Sequence, residues 1–458
     1  MCRHPIFNGF ALQSSLHEGS NSVKIAPMNS DSLKYVLREF ADRSLPESRP
    51  RELSLPTDSG KVIGLSGVRR CGKTFLFFDT IRQLVAGGVD RRRIVYLNFE
   101  DDRLQPVQAA EFDLVLRCLR EVFPEAATGR LYLFLDEVQS APSWERWVRR
   151  LCDTEDVSVF VTGSSSRLLT RDLSSAMRGR SVTYEVFPLG FREFLAFRGV
   201  RYEAYNARSE SRARAAFEDY LRWGGFPEVV LAEPAMRPLI LEEYGSVMLH
   251  RDLVERNAIR NEALMRAFLR HCFRNTASLL SVSKLHRDFQ SQGYEISKNT
   301  VFEYARMLED AGLIFLLPRH EESVRKQARN PRKLHVIDPG LIGAFKAGAE
   351  RDVGHILETA VFLECRRRAR EWHYHAGDGE LDLCDAEDRL FINICWNLSD
   401  FSTAEREAAA MAAGARLLPK AKGVLLYHEH APDTAKRFPE AQPAWRWLLE
   451  QGKGESHP

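Results

Sequence analysis

Over residues 1–29 the apolar positions follow no period, and the stretch is rich in Ser, Asn and His, so it is read as a disordered extension. A helical period begins after Ser30-Asp31, where Leu33, Val36, Leu37 and Phe40 share one face. Residues 44–59 are rich in Pro and Ser and read as a connector. From residue 61, short apolar runs alternate with helical periods. Strands are expected at 61–66, 94–99, 131–135 and 157–162, with helices at 73–86, 110–122 and 144–151. The run at 131–135 shows no polar alternation, as expected when both faces of a parallel sheet are covered. This order predicts a doubly wound α/β sheet. Residues 190–312 turn helical, 313–338 read as a hairpin, and 350–450 alternate again.

The 458 residues suffice for two to four domains at about 100–200 residues each. With 44% hydrophobic residues, the composition excludes a fibrous or wholly disordered chain. Its 65 basic and 63 acidic groups leave a formal charge of +2, which gives no global attraction to nucleic acid or membrane. No apolar run approaches the ~18 residues of a membrane-spanning helix. The N-terminus lacks the pattern of a signal peptide. The eight cysteines form neither C-x-x-C nor zinc-finger spacings. They read as reduced, mostly buried thiols of a cytoplasmic protein. Only 13 of the basic residues are lysines, so each lysine is informative.

The residues Gly67-Val68-Arg69-Arg70-Cys71-Gly72-Lys73-Thr74 fit G-x-x-x-x-G-K-[ST], between an expected strand and an expected helix. Glycines let backbone N–H groups curl around a phosphate, and the helix N-terminus adds its positive dipole end. Lys73 is placed to reach the β- and γ-phosphates, and the Thr74 hydroxyl to ligate Mg²⁺. The apolar run 131–135 ends in Asp136-Glu137. An Asp at this position holds Mg²⁺ in P-loop NTPases, and the adjacent Glu is the candidate general base. Ser164, at the tip of the next strand, is a candidate for sensing the γ-phosphate or orienting water. Arg180 is a candidate for neutralising transition-state charge, in cis or in trans.

These motifs stand in an ordered series with IVYLNFED (94–101), LFLDEVQ (133–139), VTGSSSRLL (161–169), MRGRSVTYEVFPLGFREFL (177–195), YLRWGGFPEVV (220–230), LHRDLVER (249–256) and RKQARNPRKLHVIDPGL (325–341). Together they resemble a widespread group of prokaryotic AAA-type P-loop ATPases, over about residues 30–450. The resemblance implies ATP as the nucleotide. It also implies a winged helix and a C-terminal domain of unknown function with a restriction-endonuclease-like core. The expected organisation is an extension (1–29), an ATPase core (30–195), a helical lid (196–260), a winged helix (261–345), a restriction-endonuclease-like domain (346–450) and a tail (451–458).

Two expected helices around the turn at 290–295, followed by a strand pair, also read as a winged helix from the residues themselves. The second helix offers Lys298, Asn299 and Arg306, but also Glu303, Glu309 and Asp310, a mixed face. The wing is more basic, with Arg325, Lys326, Arg329, Arg332 and Lys333. DNA is a candidate partner through the winged helix or the C-terminal domain, and a protein partner is the alternative. In the C-terminal domain Glu358 and Asp382 match metal positions of a PD-(D/E)xK nuclease, while the pair expected as (E/Q)-x-K reads Asn393-Ile-Cys395. Asn is a weak Mg²⁺ ligand and Cys cannot replace the lysine. Loose Mg²⁺ binding without DNA cleavage is therefore expected there. The arginines 366, 367, 368 and 370 could touch phosphates or simply finish a helix. The functional expectation is an ATPase that drives conformational change on a partner. The alternatives are a slow nucleotide-gated switch and an ATP-regulated DNA-binding or nuclease factor.

Overall fold

Five segments, four of them largely apolar, pair in parallel in the computed structural model. They are β1 (Val62–Ser66), β2 (Ile94–Asn98), β3 (Leu131–Asp136), β4 (Val157–Gly163) and β5 (Ser181–Glu185), in the order β2-β3-β4-β1-β5. The structure describes residues 29–450, apart from 164–165, 322, 346–351, 369–370, 378, 386, 388 and 430–437. The extension expected at 1–29 falls almost entirely outside the described residues, as does the tail at 451–458.

The unalternating strands have the physical cause expected of them. Phe134 and Phe160 stack at 4.5 Å on one face of the sheet, and Phe77 of α2 (Lys73–Ala86) meets Phe134 edge-on at 5.1 Å. Leu133, Leu135, Val159 and Val161 enter a separate core on the other face. That core is covered by α3 (Phe112–Val122), α4 (Trp144–Thr154) and α5 (Ser166–Met177). Truncating such a buried phenyl to Ala typically costs about 3–5 kcal/mol. Helix α1 (Ser30–Asp42) buries Leu33, Val36, Leu37 and Phe40, and the Asn29 side chain caps it by accepting from Ser32 N at 2.7 Å.

A helical segment follows the sheet. It contains α6 (Phe191–Phe197), α7 (Ala207–Trp223), α8 (Pro227–Leu231), α9 (Arg237–Val247), a π-helical stretch (Met248–Glu255) and α10 (Glu262–Arg274). Next come β6 (Ser278–Leu280), α11 (Val282–Ser291), α12 (Lys298–Asp310), β7 (Ile314–Leu317), α13 (Val324–Arg329) and β8 (Arg332–Val336). The three strands make an antiparallel sheet of order β6-β8-β7. The expected hairpin therefore holds an added helix and gains a third strand.

Helix α14 (Pro339–Phe345) leads to α15 (Val353–Arg366) and a second five-stranded sheet. Its strands are β9 (Trp372–His375), β10 (Leu381–Asp385), β11 (Leu390–Asn397), β12 (Lys422–Glu429) and β13 (Ala441–Pro443), with β9-β10-β11 antiparallel and β11-β12-β13 parallel. The alanine-rich α16 (Phe401–Leu417) joins β11 to β12, and α17 (Ala444–Glu450) ends the described chain. Among the described residues no helix is long and apolar enough to cross a membrane, and no three His, Cys, Asp or Glu side chains are grouped to hold a metal ion.

Candidate active site

The phosphate loop leaves β1 at its carboxyl end and turns directly into α2. Gly72 sits at φ 103°, a left-handed conformation that favours glycine. At Gly67 a Cβ would lie 2.3 Å from Val186 O, so only glycine fits that approach. The Lys73 side chain folds back across the loop, donating to Gly67 O at 2.9 Å and Val68 O at 3.1 Å. Burial opposes its charge, but the carboxylates of Glu137 and Asp136 act with other neighbours to raise its pKa. Cys71 is fully buried, and burial pushes its thiol up, so it acts as packing within the loop.

Asp136 is 1% exposed at the end of β3. Three hydroxyls converge on it: Thr74 Oγ1 at 2.7 Å, Tyr96 OH at 2.9 Å and Thr162 Oγ1. Burial and the Glu137 charge push its carboxyl up, while the three hydroxyl donors pull it down. A divalent cation beside it would favour the anion strongly. The donor set fits Mg²⁺: a hydroxyl and a carboxylate are hard oxygen ligands, and they meet at the mouth of the loop.

Glu137 adopts a left-handed backbone at φ 53°, an uncommon state for a non-glycine residue. Its N–H donates to Thr162 Oγ1 at 3.0 Å, which holds that geometry. The side chain stands beside the loop and accepts from Gln139 Nε2 at 2.5 Å. No local signal marks Gln139, although it lies within the LFLDEVQ series.

The loop side chains tie the site to the helical segment. Arg69 Nε is 2.9 Å from Asp252 Oδ1 in the π-helical stretch, and its Nη2 is 3.1 Å from Glu100 Oε1. Arg70 lies over the Tyr244 ring at 5.6 Å. Arg256, just beyond the π-helical stretch, lines a cavity with Val138, Gln139, Gly163, Leu169 and Asp172. Burial lowers its pKa, while Asp252 and Glu137 support its charge. One of its terminal nitrogens is buried without a hydrogen-bond partner among the described residues. π-Helical turns inside helices are frequent at functional sites, and this one brings Asp252 onto Arg69 of the loop.

The expected connector contributes as well. Arg51 donates to Cys71 O at 2.9 Å, to Phe187 O at 3.0 Å and to both oxygens of Glu193. Burial works against the Glu193 anion, yet Arg51 holds its pKa below the ordinary range. The phosphate loop is therefore braced from behind by a segment that has no regular structure.

Two expectations change. Arg180 lies at the amino end of β5, where its carbonyl accepts from Val62 N at 2.9 Å. Its guanidinium is 2.6 Å from Asp153 Oδ1. The phosphate loop is at the opposite end of the parallel sheet, so Arg180 does not reach the loop of its own chain. Three arginines of the basic run at the end of α15 are also engaged within the chain. Arg366 pairs with Glu185, and Arg367 donates to Pro188 O at 2.8 Å and pairs with Glu364. Arg368 pairs with Glu364 as well. Ser164 and Arg370 fall outside the described residues. In the C-terminal sheet, Asn393 donates to Glu380 O at 3.0 Å and Glu407 Oε2 at 3.1 Å, and burial pushes the Cys395 thiol up.

The chain matches the family model of an AAA domain over residues 59–195 and that of a domain of unknown function (DUF8612) over 214–352. It is 30% identical over 430 residues to "Uncharacterized protein MJ1544" of Methanocaldococcus jannaschii, covering 90% of this chain and 93% of that one. An "Uncharacterized protein" of Haemophilus influenzae is 28% identical over 356 residues, covering 75% and 84%. Among solved structures, the Walker-type ATPase paby2304 of Pyrococcus abyssi aligns with a TM-score of 0.41 at 12% identity, covering 70% of this chain and 96% of that one.

Proposed function

The chain belongs to a family of AAA-type P-loop ATPases, and on that premise we propose that it hydrolyses ATP with Mg²⁺ and uses the cycle to move its helical segment. The observation that carries this reading is the meeting of the two motifs: Thr74 and Asp136 share a 2.7 Å hydrogen bond, with Glu137 beside them. The backbone N–H groups of the loop and the N-terminus of α2 cradle the phosphates. Lys73 exchanges its carbonyl partners in the loop for phosphate oxygens. Thr74 and Asp136 would hold Mg²⁺, which would supply charge neutralisation at the phosphates. Glu137 accepts a proton from the attacking water, and Gln139 orients the carboxylate. Arg256, rather than Arg180, supplies positive charge from the same chain.

Arg69 and Arg70 link the phosphate-binding loop to Asp252 and Tyr244, which favours coupling between nucleotide and helical segment. A slow switch would use the same contacts. Counting turnovers separates the two: a motor releases phosphate over many cycles, whereas a switch retains one nucleotide per chain. We read the β6–β8 unit as a winged helix. Phe302 is 60% exposed amid mixed charge on α12, and Arg306 lies 3.5 Å from Asp310 on the same helix. That face favours a protein partner over DNA. DNA binding that falls steeply with salt would support the other reading.

A further inference from the structure

A buried charge cluster lies between the three-stranded sheet and the C-terminal sheet. Strand β8 alternates there. Leu334 and Val336 join the apolar core, while Lys333 and His335 engage α15. Lys333 Nζ is 2.9 Å from Glu358 Oε1 on α15, 3.0 Å from Asp382 Oδ1 on β10 and 3.9 Å from Glu380 Oε1. Lys333 is 3% exposed and Glu358 7%, so water screens this contact poorly. The second Asp382 oxygen accepts from Ile394 N at 2.9 Å. Beside the cluster, His335 stacks on Phe362 at 4.1 Å, and Thr359 Oγ1 lies 2.8 Å from Thr276 Oγ1. Burial opposes the Lys333 charge, but Asp382 and Glu358 override it and hold the proton on the amine.

Glu358 and Asp382 are the residues expected to hold a metal in a nuclease-like site. The surroundings do not fit one. An ammonium already stands within hydrogen-bond distance of both carboxylates. The Asn393 amide nitrogen is committed to Glu380 O and Glu407, and Cys395 is buried on an apolar strand. A divalent ion would have to expel Lys333 and leave a buried cation unpaired, which is strongly unfavourable. Lys333 comes from the preceding unit, 25 positions before Glu358, so no spacing within the C-terminal domain reveals it.

We propose that Lys333 is the resident cation of the Glu358–Asp382 pair, in place of a metal, and that it pins the β6–β8 unit to the C-terminal sheet so that the two move as one body. Backbone contacts extend the same junction. Tyr374 N donates to Pro318 O at 3.0 Å, and His320 N donates to Tyr374 O at 2.7 Å, which carries the edge beyond β7 onto β9.

The test is Mn²⁺ binding to the full-length, nucleotide-free protein, with bound ion counted by electron paramagnetic resonance. Parent and Asp382→Asn should bind the same number of ions. Lys333→Met should gain one site with a Kd on the order of 0.1–1 mM, and Lys333→Met/Asp382→Asn should lose it again. An Asp382-dependent Mn²⁺ site in the parent overturns the proposal, as does a folded Lys333→Met variant that gains none. Thermal melting provides a second readout that does not require Lys333→Met to stay folded at high temperature. Lys333→Met should lower the Tm, and adding Glu358→Gln should recover at least part of the loss. A further, additive drop would contradict the pairing. None of these readouts depends on ATP turnover.

Discussion

Thr74 Oγ1 donates to Asp136 Oδ2 at 2.7 Å, across 62 positions of sequence. The contact joins the end of the phosphate loop to the end of the strand that carries the acids. It holds the two oxygens side by side where a single Mg²⁺ would need them.

Lys73 is the first residue whose removal is informative. Its ammonium is held by two loop carbonyls, so Lys73→Ala leaves the loop without its cation. A fluorescent ATP analogue should bind the variant roughly 10–150-fold more weakly, as for loss of a charge-assisted hydrogen bond. Unchanged affinity with an unchanged melting temperature would place the phosphates elsewhere.

The Arg69–Asp252 pair is expected to couple the loop to the π-helical stretch. Its side chains are 21% and 5% exposed, so screening is incomplete. A double-mutant cycle with Arg69→Met and Asp252→Asn, read by denaturant unfolding, should give a coupling of about 0.5–3 kcal/mol. Strict additivity would mean that the contact carries no energy.

Arg256→Ala should lower kcat by roughly 10²–10³-fold, the usual cost of losing a preorganised donor at developing charge. Arg180→Ala should stay within about twofold, because its guanidinium is engaged with Asp153 at the far end of the sheet. Equal losses in both variants would show that a second chain completes the site.

Asp338 gives a pH dependence with a definite sign. It accepts from Gly225 N at 2.6 Å and Gly340 N at 2.8 Å, and burial pushes its carboxyl up to about 7 against those donors. The folded state therefore holds a proton that the unfolded chain releases near its ordinary value of 3.8. The stability from this group is full below that value and declines as pH rises through about 7. The Tm of the parent should fall between pH 5 and 8 more than that of Asp338→Asn, by an amount equivalent to roughly 1–4 kcal/mol. A parallel fall in both proteins would remove Asp338 as the cause.

The ATPase core was legible because its signals are local. Strand 131–135, the loop with Lys73 and Thr74, and the acids Asp136 and Glu137 each follow from short runs of sequence. The remaining features depend on tertiary contact. Arg51 reads as part of a connector, yet it braces Cys71 O through a chain reversal. Arg256 is one arginine among 52, and only the π-helical stretch shows where it goes. Lys333 reads as a wing cation, yet it is buried because α15 packs on β8. Strand β6, with three residues, is too short for its period to register.

Phosphate release by parent and Glu137→Gln under saturating Mg²⁺-ATP shows whether Glu137 drives ATP hydrolysis at the Thr74–Asp136 site. Gln preserves shape and nucleotide binding but cannot take the proton. The parent should turn over repeatedly, and the variant should bind ATP with parental affinity while its rate falls roughly 10²–10⁴-fold. Hydrolysis by Glu137→Gln at the parental rate would contradict the account.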